Sequence, residues 1–482
     1  MFRRCLCILL SLMMLILSAC TPENDALQMP DIEPIDWTQA QIGREIVLPL
    51  YYFTDEKTQL SVERRSVHIT DQTRAQSAIL ALLEEPKSAG LISPFAASQY
   101  DKLELQHVQV SGKTANVDFY NKTGGSDVAT VIMARTAVAN TLISHLGVEY
   151  VNMYINGNPA DYNGNRLGAM KYYEGSPKQY LEQVKLDSER MSYPATVIMT
   201  LYFPDAKYEY LICETREVII PDSGGDLNKI IVSELLKGPQ DTQSLVGITD
   251  EPVSNYEDFT LLSHVYQDDL GNNLIVDTTS GQKVSNRIEI DIGHAAADET
   301  LSAAAIVCSL MGYTPDMQSV SVSFGEGADI KGGDGLTRLS FADKIGTLIT
   351  LYVPDTSHEK LQAYACAVKQ DQSEDPEVIL RELIDYAMAE GTLFPQDIEQ
   401  GDLNRAWLCN DTAIVDFSRA FYDKCDVLGE KEEMLMVYSI VNTLTQIYGV
   451  KKVQVLFDGK TVEKLGVISV FAPLMQNPGI IS

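Results

Sequence analysis

Two tryptophans in 482 residues are too few for a carbohydrate-stacking platform built from several aromatic faces, although one could still stack on a sugar. No cysteine pair has C-x-x-C spacing and H-E-x-x-H does not occur, which excludes a zinc ribbon and a zincin protease. Gly-x-Ser-x-Gly is missing too, so the nucleophile elbow of the α/β-hydrolases is excluded. Positive charge is scarce: 37 Lys and Arg stand against 67 Asp and Glu, a formal net charge of −30. Such a surface repels phosphates, which argues against nucleic acid and against a basic patch on anionic lipid. The acidity reads as solubility in a crowded or salty setting, or as an acidic face for a basic partner.

Long apolar runs are scarce as well, and the one present lies at the start. Met1-Phe2-Arg3-Arg4 precedes an apolar run from Cys5 to Leu17, a secretory signal too short to span as a mature helix. It closes on Leu17-Ser18-Ala19-Cys20, which resembles the bacterial lipobox. The resemblance implies that Cys20 receives a diacylglyceryl thioether and becomes the mature N-terminus. Two acyl chains, at about 0.8 kcal/mol per buried methylene, hold durably where one is marginal. Residues 1–20 are thus expected to be signal peptide and lipobox. Residues 21–42, acidic and carrying Pro22, Pro30 and Pro34, are expected to be a tether.

Beyond the signal and anchor, five cysteines remain: Cys213, Cys308, Cys366, Cys409 and Cys425. An odd set without metal spacing reads as buried or half-buried free thiols. A single bridge, such as Cys366 to Cys409, is the alternative in an exported protein.

Leu50-Tyr51-Tyr52-Phe53-Thr54-Asp55, Leu201-Tyr202-Phe203-Pro204-Asp205 and Leu351-Tyr352-Val353-Pro354-Asp355 repeat one pattern, with closing aspartates 150 residues apart each time. A run of this kind is a strand ending in a turn, and its recurrence marks one module used three times. The third copy is the most legible. Leu348–Val353 and Leu361–Val368 read as strands, and Asp375-Pro376-Glu377 opens a helix with Ile379, Leu380, Leu383, Ile384 and Ala387 on one face. A hairpin, 404–409 with 412–417, turns at Asn410-Asp411. A second helix is expected over Glu432–Tyr448, with Met434, Val437, Val441, Leu444 and Tyr448 as its buried stripe and Gly449 at its end. Val453, Val455 and Phe457 form a last strand. In the other copies the hairpin strand is read as Ala115–Phe119 and Asn273–Asp277. The fold class expected is α+β: three tandem two-layer domains, each with two helices packed on a small mixed sheet, at 43–175, 193–342 and 346–482.

These landmarks resemble the GerM domain of sporulation and spore-germination lipoproteins. The residues that carry the likeness are the 201–205 strand, Glu214, Arg216-Glu217-Val218, Glu234-Leu235-Leu236-Lys237-Gly238-Pro239, Ile414-Val415-Asp416-Phe417-Ser418 and Ile440-Val441-Asn442-Thr443-Leu444. The first copy has Glu84-Glu85-Pro86 for Lys-Gly-Pro, and the second lacks Asn-Thr-Leu. The resemblance implies a fold similar to the ring-building motif, no enzymatic activity and no cofactor. It implies sporulation-channel or envelope proteins as partners.

Asp118, Asp277 and Asp416 sit at equivalent strand positions, where repeated carboxylates could bind metal or transfer protons. They fall in separate domains, so the expected role is bonding a local backbone amide, as for Asp55, Asp205 and Asp355. The histidines, 68, 107, 145, 264, 294 and 358, lack ligand spacing and read as lone surface or packed side chains. Gly325-Glu326-Gly327 and Gly332-Gly333-Asp334-Gly335 lack a following Lys-Ser/Thr and read as loops. With no catalytic residue and no metal site identified, the function expected is a non-enzymatic scaffold, lipid-anchored to the outer face of the cytoplasmic membrane, with no small-molecule substrate. The alternative is a lipoprotein that captures a solute or peptidoglycan fragment.

Overall fold

The computed structural model describes residues 36–482 apart from 55–58, 96–102, 122–127, 160, 163–164, 190–193, 222–226, 252, 254, 257, 265–286, 314–316, 318, 326–327 and 330–335. The signal peptide, Cys20 and the tether up to residue 35 lie outside the described residues. An N-terminal unit ends at Ala40 and shows one 3-10 turn, Trp37–Gln39, capped by Asp36. The fold proper begins at Gln41.

Module 1 opens with the antiparallel hairpin β1 (Arg44–Thr54) and β2 (Leu60–Ile69), in which Leu50 lies opposite Glu63. Helix α1 (Arg74–Leu83) follows. Its capping box is complete: Thr73 Oγ1 accepts from Gln76 N–H and Gln76 Oε1 accepts from Thr73 N–H. Next come the hairpin β3 (Leu103–Ser111) and β4 (Thr114–Asn121), helix α2 (Val128–Leu146) and strand β5 (Tyr150–Ile155). The helical crossover returns β5 parallel to β4, whereas the tight turn leaves β3 antiparallel to it. Helix α3 (Pro177–Glu189) then folds back, seating Leu181 and Val184 on Phe53 and Ile132.

Module 2 repeats the order with β6 (Ala195–Pro204), β7 (Leu211–Ile220), α4 (Leu227–Leu236), β8 (Phe259–His264), β9 (Arg287–Ile292), α5 (Glu299–Met311) and β10 (Ser319–Phe324). Module 3 does so with β11 (Gly346–Pro354), β12 (Leu361–Lys369), α6 (Pro376–Glu390), β13 (Leu403–Cys409), β14 (Thr412–Phe417), a short added helix α7 (Arg419–Lys424), α8 (Glu430–Leu444) and β15 (Lys452–Phe457). Each module has a hydrophobic core, centred on Leu50 and Val138, on Leu201 and Ile306, and on Leu351 and Val441. The fold is α+β with two main helices per module. The opening hairpin forms a sheet of its own, separate from the mixed sheet.

Three expectations need correction. The strand of module 2 that pairs in parallel is β9, and Asp291 opposite Ser323 occupies the place of Asp118 and Asp416. Residues 273–277, read from sequence as that strand, lie outside the described residues. Helix α8 ends at Leu444, where Gln446 and Ile447 N–H turn to carbonyls three residues back and tighten the chain. Tyr448 is therefore exposed beyond the helix, Met434 is half-buried, and Leu435, Met436 and Ile440 join the buried stripe.

Candidate functional site

In all three copies the Leu-Tyr motif makes one contact. Tyr51, Tyr202 and Tyr352 each have a backbone N–H that the hairpin ladder leaves unused. It donates to a helix hydroxyl: Thr141 Oγ1 at 3.0 Å, Ser309 Oγ at 2.9 Å and Thr443 Oγ1 at 2.9 Å. The second copy departs from Asn-Thr-Leu yet keeps the hydroxyl. In the other two, the asparagine clamps a returning segment in both directions, Asn140 on Tyr173 and Asn442 on Asn477.

The Glu-x-Arg of the second strand is also structural. Arg65 and Arg216 pair with Glu63 and Glu214 and donate to the carbonyls of Ala81 and Glu234 at the end of the first helix. The glutamates accept from the loop amides of Lys87 and Ser88, and of Gln240 and Asp241. In module 3 these two positions are Tyr364 and Cys366, which face Leu351 and Ile349 across the hairpin.

The three modules are interlocked. The outer face of module 1's mixed sheet carries Gln109, Asn116 and Asn152, and it packs on module 2. Asn152 donates to Asn116 Oδ1 (2.8 Å) and Thr200 Oγ1 (2.9 Å), and Asn116 donates to Tyr202 Oη (3.3 Å). Gln109 reaches the Gly346 carbonyl of module 3 (2.8 Å). Modules 2 and 3 meet at a parallel bridge, Leu211 with Ile345. There a Cβ on Gly346 would lie 2.6 Å from Tyr210 Cβ, so only glycine allows this approach. Modules 1 and 3 meet where Gly43 N–H donates to the Leu408 carbonyl (2.7 Å) and Asn410 N–H to the Gly43 carbonyl (2.8 Å). Beside this bridge, Glu374 accepts from Arg44 and sits 3.3 Å from Arg74 Nε. Arg44 also donates to the Tyr448 carbonyl, and the Arg74 guanidinium lies 4.2 Å from the centre of the Tyr448 ring.

The candidate aspartates divide. Asp205 and Asp355 accept from amides of their own turn: Asp205 from Glu209 and Tyr210, Asp355 from Glu359. Asp416 Oδ1 accepts from Gly459 N–H (2.7 Å), and Asp291 from Ser323 Oγ (2.8 Å). Asp55 and Asp277 lie outside the described residues. Asp118 corrects the sequence expectation, because it bonds no local amide. Its Oδ2 lies 2.7 Å from Nε2 of the half-buried His107 and 3.0 Å from Arg338 Nη2, with Asp118 and Arg338 deeply buried. Arg338, from the segment that leads into module 3, also stacks 3.8 Å over the Tyr154 ring and donates to Tyr202 Oη. Burial, the largest influence, pushes the Asp118 carboxyl up. Arg338 and His107 outweigh it and hold the carboxyl below its usual range.

His107 is therefore a close partner of the Asp118 carboxylate rather than a lone side chain. His145 is packed against Tyr448, His68 bonds the Ile42 carbonyl, His294 lies 3.3 Å from Asp258, and His358 sits in the turn after β11. His264 ends β8. Among the described residues no group of three His, Cys, Asp or Glu side chains could hold a metal. All five cysteines are free and buried, so Cys366 and Cys409 form no bridge. Burial raises their thiols, Cys308 to about 12, which suppresses thiolate. Trp407 is buried, with the Arg405 guanidinium 4.1 Å from the centre of its ring, so it offers no open face to a sugar. Gly325 turns with φ +65°, and Gly332–Gly335 lie outside the described residues. No helix among the described residues is long and apolar enough to cross a membrane.

The Germane family, described as sporulation and spore germination, matches residues 49–161 and 341–463. No curated protein matches the chain. Among solved structures, the chain is similar to the tandem GerMN domains of the sporulation protein GerM from Bacillus subtilis. Identity is 18% over 61% of this chain and 97% of that one, with a TM-score of 0.22. The first GerMN domain of the same protein is 16% identical over 28% of this chain and 98% of that one, with a TM-score of 0.19.

Proposed function

Residues 49–161 and 341–463 belong to the Germane family of sporulation and spore-germination domains, and from that premise we propose a non-enzymatic scaffold of the bacterial cell envelope. It is held to the outer face of the cytoplasmic membrane by lipid on Cys20, and it stabilises an envelope or sporulation assembly. The observation that carries this reading is how the polar groups are used. The carboxylates and amides at module junctions and strand ends are engaged with the protein itself, in Asp118–Arg338, Glu374–Arg44 and Asn152–Thr200. A catalyst needs such groups aimed at a substrate.

Proximity labelling from a tag on module 3 tests the scaffold. Enrichment of envelope or sporulation-channel proteins is expected, and labelling no different from an unrelated lipoprotein would sink it. The anchor is tested separately. Cys20→Ala should move the protein from the membrane fraction to the soluble exported fraction.

Solute capture draws on one observation, a cavity of about 450 Å³ between modules 1 and 3 lined by Arg74, Gln370 and Glu374. Its size suits a small ligand. A rise in melting temperature with a muropeptide or amino sugar, lost in Gln370→Leu, would favour it over the scaffold.

A further inference from the structure

Module 3 carries a groove of about 1060 Å³ to which the other modules contribute no residue. Its walls are the turn after β11, the segment that leaves α6 and the connection from α7 to α8. That connection, 418–429, is where module 3 differs from module 2, which crosses the same point with residues 293–298 and no helix. The added wall puts Val427 at the lip, 80% exposed, the most exposed large apolar side chain among the described residues. Below it the floor is apolar, with Phe394 and Leu435. The rim carries Glu359, Asp397, Glu430 and Glu432. The one lysine there, Lys431, is paired with Glu359.

We propose that this groove docks a basic, apolar-anchored segment of a partner protein. An exposed valine over an apolar trough favours an apolar side chain as anchor. The acidic rim adds attraction for Lys and Arg and steers their approach. The same rim disfavours the other occupants. The tether, Thr21 to Asp36, has no Lys or Arg and several acids, a second copy brings a net charge of −30, and anionic lipid shares the rim's sign. The groove deepens the scaffold reading by naming the class of partner one module would hold.

The test uses the whole chain in its Cys20→Ala form and two labelled synthetic peptides of equal charge, one alternating Leu and Lys, the other Ser and Lys. Anisotropy titrations should show the Leu/Lys peptide binding at least about tenfold more tightly than the Ser/Lys peptide, and more weakly as salt rises. Val427→Asp should weaken the Leu/Lys peptide about tenfold, with circular dichroism and melting temperature unchanged. Asp397→Lys with Glu430→Lys should remove the salt dependence. The proposal is overturned if the two peptides bind alike, if neither variant alters binding, or if the Leu/Lys peptide does not bind. It is equally overturned if sedimentation shows a dimer that Val427→Asp dissociates, which would give the groove to a second copy. Peptide binding is read in vitro and proximity labelling in cells, so a failed groove leaves the scaffold standing and a failed scaffold leaves the groove.

Discussion

Thr141, Ser309 and Thr443 hold the motif strands to their helices through one hydroxyl each. Thr443→Val keeps the shape but leaves the half-buried Tyr352 N–H without its acceptor, and should cost about 1 kcal/mol in urea unfolding. Asp118 has higher stakes. Asp118→Ala leaves the Arg338 guanidinium buried without its carboxylate, and about 3–5 kcal/mol of stability should be lost. Asp118→Leu with Arg338→Met should recover much of this, which a double-mutant cycle measures. His145 gives the acid response. Burial first, then Arg74 and Arg44, push its imidazole down to about 4, against about 6.5 in an unfolded chain. Between those values the unfolded chain binds the extra proton, so stability falls as pH drops from about 6.5 toward 4. His145→Phe should flatten that part of the stability–pH profile. None of these partners announces itself in sequence. Arg338 lies far along the chain from the carboxylate it shares with His107, which faces Asp118 across the β3–β4 hairpin past a register shift at Leu105–His107 that regular strand spacing does not reveal.

At the scale of elements, the sequence is most legible where local chemistry decides. Asp375-Pro376-Glu377 predicts the start of α6, and the structure shows Asp375 accepting from Glu377 N–H (2.8 Å) with Pro376 in the first turn. Strand β9 was missed for a physical reason. Its sheet face is open, with Asp291 exposed and Glu289 half-exposed, so Arg-Ile-Glu-Ile-Asp-Ile alternates charge with isoleucine. The strands it matches, β4 and β14, have covered faces, where Asn116 and Ile414 are fully buried, and so read as amide and aliphatic. Helix α3 was missed because its apolar stripe is short, chiefly Tyr180, Leu181 and Val184. The clasp between modules 1 and 3 is made by side chains from β1, α1 and the segment before α6. Glu374→Ala should leave buried Arg44 unpaired and loosen β1. Hydrogen exchange across 44–54 should quicken by at least about tenfold.

For the molecule as a whole, each module touches the other two. Although the modules have separate cores, the buried junctions tie their unfolding together. In a Trp37→Phe background, the fluorescence of Trp407 reports module 3 and far-UV circular dichroism reports all modules. The two denaturant midpoints should coincide, and a gap between them would mean the modules unfold as separate beads. The repeat of three was plain in sequence because one strand motif recurs at a fixed period. The closed arrangement was not, because its contacts join residues hundreds of positions apart, such as Gly43 and Cys409. Gly43 needs its residue type, since at φ +106° a Cβ would fall 2.6 Å from the Ile69 carbonyl oxygen. This bridge also has a mechanical meaning. Tension drawn along the chain from its N-terminal side reaches Ile42, bonded to His68, and then Gly43, bonded to Leu408 and Asn410, and so divides at once between the first module and the last. A tug there is shared by hydrogen bonds to two modules instead of being passed down a string of them.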